Sequence, residues 1–126
     1  VNFDFDAVAF EPKPVTAGGP PLHIGGDGAA ALRRAATVGA GWIPMNHTLE
    51  QIPAARARLD ALAQQHGRLQ PIEITLGGTI ESEADVDRYS EAGVDRVLVR
   101  PWTRQRDAIG AMDEFAARFI TPPQGG

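Results

Sequence analysis

Cysteine is absent from the 126 residues, which excludes a disulfide framework and any thiolate-bound metal. Lysine is almost absent: Lys13 is the only one, and the other eleven of the twelve cations are arginine. That bias, with the many alanines, points to GC-rich bacterial coding. No basic block occurs, and twelve cations against sixteen acids leave a net charge of -4 and a pI near 5.3. The electrostatic footprint of a nucleic-acid or anionic-membrane partner is therefore missing. No run of eighteen apolar residues is present to span a bilayer, and the N-terminus lacks the basic-then-apolar pattern of a signal peptide. A soluble, cytoplasmic protein is expected. Val1 stands where an initiating Met would be, so the chain is expected to be part of a longer translation product. It is also short: a complete (β/α)8 barrel needs at least ~200 residues.

What is there reads as one globular domain over residues 1–126, with 43% hydrophobic and 22% charged residues. Val1 to Phe10 alternate apolar and polar, as a half-covered β ribbon does, and Glu11 to Pro21 form a proline-rich connection. The period then switches four times in one order. Leu22-His23-Ile24 reads as a strand stopped by Gly25-Gly26, with Asp27 placed to cap the next helix. Ala31, Leu32, Ala35 and Val38 share a face of that helix, which Gly39 ends. Gly41-Trp42-Ile43 is a second strand before Pro44. Thr48 and Gln51 fit a capping box for a helix running to about His66 and closed by Gly67, its first turn made irregular by Pro53. Pro71 to Leu76 is the third strand, stopped by Gly77-Gly78. Ser82 caps a helix through Ala92, ended by Gly93. Val94 to Val99 is the fourth strand, and Arg104 to Phe119 the last helix, with Thr121 to Gly126 a frayed tail.

Strict β-α alternation with short loops predicts an α/β fold, a parallel sheet with right-handed crossovers. Two architectures fit: a small open doubly wound sheet, or a (βα)4 half of a (β/α)8 barrel. In both, ligands bind at the carboxyl ends of the strands. Those ends are Gly25-Gly26, Pro44 to His47, Gly77 to Thr79, and Arg100 to Thr103.

The strongest local signal is His23 to Ala30. A strand, two glycines and a helix N-terminus present free backbone N–H groups and the positive end of the helix dipole, a phosphate site that needs no basic side chain. The glycines let a ligand approach the backbone, although a tight βα turn would also use them. No Walker lysine follows, and the Gly-x-Gly-x-x-Gly fingerprint is incomplete. Gly77-Gly78-Thr79 repeats the pattern without an immediate helix, as a plain turn would. His23 within a strand reads as a satisfied histidine rather than a catalytic one, and His66 lies at a helix end. His47, in a loop after a strand, is a candidate substrate contact. Arg100, closing the fourth strand, either meets an anionic substrate group or pairs with Asp95 or Glu73. Trp42 reads as core, and Trp102 as lining a pocket or an interface. Glu81, Glu83, Asp85 and Asp87 bunch at a helix start, where the dipole favours them, so no metal site is expected. No nucleophile-base-orienter set can be assembled, and the catalytic residues stay unassigned.

The ordered stretches Phe10-Glu11-Pro12-Lys13-Pro14-Val15, Pro21-Leu22-His23-Ile24-Gly25-Gly26, Ala31-Leu32-Arg33-Arg34-Ala35-Ala36 and Gly41-Trp42-Ile43-Pro44 carry a family resemblance, as do Gly67-Arg68 and Glu91-Ala92-Gly93-Val94-Asp95-Arg96-Val97. Over nearly its whole length the chain resembles the C-terminal half of bacterial luciferase-like monooxygenases, in particular the actinobacterial F420-dependent oxidoreductase branch. The resemblance implies the last four βα units of a (β/α)8 barrel. It also implies a coenzyme, F420 or alternatively FMN, whose phosphate end meets Gly25, Gly26, Gly28 and Ala29. One departure is Gly39-Ala40-Gly41-Trp42, where the family usually reads Gly-Asp-Gly-Trp. A larger one is that the ring pocket and proton donors of such enzymes come mostly from the first four strands. The chain is therefore expected to contribute a coenzyme cradle, to act on a small-molecule substrate only with an N-terminal half, and to be inactive alone. Two other readings stand beside this: a non-catalytic half-barrel that forms a homodimer, and a small doubly wound domain that binds a phosphorylated ligand.

Overall fold

Local period and helix punctuation build four βα units in succession. The computed structural model describes Asp6 and residues 11–120. The ribbon expected at residues 1–10, Asp6 apart, and the tail at 121–126 lie outside the described residues. The elements are β1 (His23–Gly25), α1 (Ala29–Val38), β2 (Gly41–Ile43), α2 (Ile52–Gln65), β3 (Glu73–Gly78), α3 (Glu83–Glu91), β4 (Arg96–Val99) and α4 (Ala108–Phe119). Short 3-10 turns, Leu49–Gln51 and Gln105–Asp107, lead into α2 and α4. The first of these is the irregular turn that Pro53 at the head of α2 implied.

All strand pairs are parallel and the sheet order is β1-β2-β3-β4, the order of the chain. A doubly wound sheet reverses direction at a switch point; this one does not. Three right-handed crossovers taken in sequence put their helices on one side, so the architecture is half of a (β/α)8 barrel.

Alternation along the strands sends Ile24, Trp42, Ile74, Leu76 and Val97 towards the helices, where they join Leu32, Ile52 and Leu59. Trp42, Ile52, Leu59, Ile72 and Ile74 are the largest fully buried side chains, each worth roughly 1.5–3 kcal/mol of burial. The opposite face of the sheet carries His23, Glu73, Arg96 and the half-exposed Leu98. There Arg96 pairs with Glu73 at 3.0 Å, and His23 Nε2 stands 3.8 Å from the same carboxylate. Gly41 lies in register between His23 and Glu73; a Cβ at that position would strike the His23 ring. Thr75 is buried to 3% with a hydroxyl that has no hydrogen-bond partner.

Three expectations need correction. Asp27 does not cap α1: the N-cap is Gly28, with no side-chain hydrogen bond, because the Asp27 carboxylate is taken by another loop. The third strand is not stopped by its glycines but runs through them. Gly77 and Gly78 pair with Leu98 and Val99 of β4, and the absence of a Cβ on Gly78 makes room for the Tyr89 ring of α3. The fourth strand starts at Arg96 rather than Val94, whose N–H closes α3 by donating to the Tyr89 carbonyl at 3.0 Å.

The capping boxes at Thr48/Gln51 and Ser82/Asp85 are both formed. Below the sheet, Arg56 of α2 donates to the carbonyls of Gly93 and Ile72 and pairs with Asp95. Asp95 also accepts from the Ile74 N–H at 2.8 Å. One guanidinium thus joins a helix to the starts of two strands.

Candidate functional site

The carboxyl end of β1 turns through Gly25 and Gly26 into α1. Gly26 adopts φ +114°, a conformation glycine takes without strain. Its N–H donates to the Ile43 carbonyl at 3.1 Å, and its carbonyl accepts from the Trp42 indole at 2.7 Å. Trp42 is therefore both core and a positioning residue: its buried ring fastens the first loop to β2.

The cradle itself is open. A Cβ on Gly25 or Gly28 would meet nothing within 4 Å. The first turn of a helix holds N–H groups without intrahelical acceptors. In α1 no side chain takes them, and the first turn carries no acid. Gly28 and Ala29 bring this end of the dipole to the surface beside Gly25 and Gly26. A phosphate fits the chemistry of this donor set, and the missing Cβ atoms are what give it space.

Asp27 shapes the cradle from behind. Its carboxylate accepts from the Met45 and Asn46 N–H groups at 2.9 and 3.2 Å and from the Asn46 amide at 2.7 Å. His47 Nδ1 stands 2.8 Å away, and because an ionised carboxylate only accepts, this nitrogen carries the proton. Partial burial opposes ionisation. The Asn46 N–H, His47, the Asn46 amide and the Met45 N–H outweigh it and bring the Asp27 pKa down to about 2. The edge of the His47 ring meets Trp42 at 5.1 Å. His47 thus reaches the cradle's rear wall, where it lines a groove of about 260 Å³ with Gln51 and Arg58. Nothing in the local sequence announced the link from Asp27 to residues 45–47; only the adjacency of β1 and β2 makes it.

Arg100 is elsewhere. It is exposed and lines an open cleft of about 540 Å³ with Thr79, Trp102 and Phe115. Three strand spacings of ~4.8 Å separate β4 from β1, about 14 Å in all. The salt bridges expected for Arg100 are not made, because Asp95 belongs to Arg56 and Glu73 to Arg96. Trp102 does line this cleft. In the acidic bunch Asp85 closes the α3 capping box; its carboxyl is held below the ordinary range by the Glu81 N–H first and the Ser82 hydroxyl next. Among the described residues no group of three His, Asp or Glu side chains is arranged to hold a metal ion. None of their helices is long and apolar enough to cross a membrane.

A search of curated proteins finds no match. The family model described as luciferase-like monooxygenase matches residues 1–119. With four consecutive parallel βα units and a glycine-lined helix N-terminus at the strand ends, the chain belongs to the luciferase-like monooxygenase family.

Proposed function

We propose that this chain supplies the coenzyme-phosphate cradle of an F420-dependent oxidoreductase, with FMN as the alternative coenzyme. The observation that carries the reading is the uncapped N-terminus of α1, bordered by Gly25 and Gly28, whose missing Cβ atoms leave open space. Gly25, Gly26, Gly28 and Ala29 bind the phosphate through backbone N–H groups and the helix dipole. When bound, such a coenzyme supplies hydride chemistry; the chain's own part is to hold and orient the phosphate end. Membership of the family supports a flavin-type coenzyme, and the preference for F420 rests on the resemblance to that branch. His47 acts through Asp27, positioning the loop behind the cradle. Arg100, in its separate cleft, is the proposed contact for an anionic substrate group.

In the enzymes the chain resembles, the ring pocket comes mostly from the first four strands, so the isolated chain is proposed to bind coenzyme without turning it over. Calorimetric titration with F420, FMN and inorganic phosphate tests this. Binding of F420 in preference to FMN, weakened by competing phosphate, is expected. A folded protein that binds neither coenzyme would end the reading, and preference for FMN would replace F420 by its alternative.

A further inference from the structure

The cleft at the carboxyl ends of β3 and β4 is built by neighbouring units of this chain. Its walls include Thr79 and Ile80 after β3, Arg100 and Trp102 after β4, and Phe115 and Phe119 of α4. It therefore opens between the third and fourth units, not on the outer side of β4. Its volume of about 540 Å³ falls within the ~300–1,000 Å³ of small-molecule sites, and barrels hold their substrates at the carboxyl ends of the strands.

Aromatic surface is concentrated there. Of the chain's two Trp, one Tyr and five Phe residues, Trp102, Phe115 and Phe119 line this one cleft. None of the three belongs to the core cluster, which takes Trp42 and has Tyr89 packed against it. Phe115 and Phe119 lie against each other with ring centroids 4.8 Å apart, while Trp102 comes from a separate loop. All three are only partly buried, so ring surface is left over for a flat guest. Charge narrows the guest further. The Arg118 guanidinium stands over the Phe119 ring at 4.8 Å, whereas Arg100 is exposed and makes no ion pair among the described residues. Glu81 and Glu114 also line the cleft, and two carboxylates disfavour a guest with several negative charges. One carboxylate, by contrast, suits the planar fork of Arg100.

We propose that this cleft takes an aromatic monocarboxylate, its ring against Trp102 and Phe115 and its carboxylate on Arg100. The inference names the substrate class for the anionic contact proposed at Arg100, and it rests on that contact. It does not depend on which coenzyme the cradle holds.

Ligand-observed NMR titration of the 126-residue chain with benzoate, cyclohexanecarboxylate and benzyl alcohol tests both layers. Benzoate should bind tightest of the three. Trp102→Leu should weaken benzoate roughly fivefold and leave cyclohexanecarboxylate unchanged, since only the stacked ring is lost. Arg100→Gln should weaken both carboxylates roughly fivefold or more and leave benzyl alcohol unchanged. The probe that each variant spares shows that the variant is folded. If Arg100→Gln weakens both carboxylates but Trp102→Leu spares benzoate, the aromatic class is overturned while the anionic contact stands. If Arg100→Gln spares both carboxylates, the contact itself fails and takes the proposal with it. A folded wild-type chain that does not bind benzoate also overturns the proposal.

Discussion

Asp27 and His47 are 20 residues apart in the chain, yet His47 Nδ1 lies 2.8 Å from Asp27 Oδ1. The pair ties the loop after β2 to the glycine turn after β1. The same carboxylate takes the Met45 and Asn46 N–H groups, so one side chain organises three successive residues of a neighbouring loop. The glycine turn is hydrogen-bonded from behind and has open space in front. That division of labour explains why Asp27 is not spent on capping α1, and why the N–H groups of α1 remain open to an anion.

This pair sets an acid limit on the loop. The Asp27 pKa in the folded chain, about 2, lies below its ordinary value of 3.8, so the unfolded chain takes up the proton first. The stabilisation is complete above pH 3.8 and is lost as pH falls through about 2. NMR titration should show the Asp27 carboxyl titrating near pH 2, with the Met45 and Asn46 amide signals moving together with it. Titration at the ordinary carboxylate value would show that the four donors do not hold it.

Two neighbouring glycines should respond differently to the same substitution. Gly25→Ala adds a Cβ into open space, so stability should change by less than ~1 kcal/mol while coenzyme-phosphate affinity falls. Gly26→Ala meets the Ala31 Cβ at 3.3 Å and demands φ +114°, costing about 1–3 kcal/mol. Denaturant melts paired with phosphate titrations distinguish them. Equal affinity for wild type and Gly25→Ala would remove Gly25 from the cradle.

Arg56 is the main polar fastening of the lower rim. Arg56→Ala leaves the Gly93 and Ile72 carbonyls and the Asp95 carboxylate without this donor. A loss of about 2–3 kcal/mol is expected in urea unfolding. Arg56→Lys should recover only part of it, because one ammonium lacks the planar fork that serves three acceptors. Full recovery would assign the effect to charge alone.

Thr75 offers the opposite case. Its buried hydroxyl has no partner, so Thr75→Val removes an unsatisfied polar group at nearly constant shape. The variant should be as stable as the wild type or more so by up to ~1 kcal/mol. A clear destabilisation in the same unfolding assay would mean that the hydroxyl is engaged in solution.

Most of the framework was legible because its signals are local. The helix-period faces of α1 and α2 (except Val38, which is exposed while Ala36 is buried), the capping boxes at Thr48 and Ser82, and the helix-ending glycines at 67 and 93 each depend on a few adjacent residues. The Gly77-Gly78 pair was misleading for a reason outside its own segment. Glycine commonly ends strands, but here Gly78 gives space to Tyr89 from the following helix. Asp27 misled in the same way: an acid before a helix is a good cap until a stronger set of donors is brought to it.

The sequence by itself determined the alternation of strand and helix, the parallel sheet, and the glycine-lined start of α1, since period and backbone freedom are properties of neighbours in the chain. Tertiary structure alone decided the sheet order that makes this a half-barrel and the separation of Arg100 from the cradle. It also decided the partners of Asp27, Arg56 and Glu73. A charged side chain takes whichever donors or acceptors lie nearest in space, and strand adjacency sets which those are.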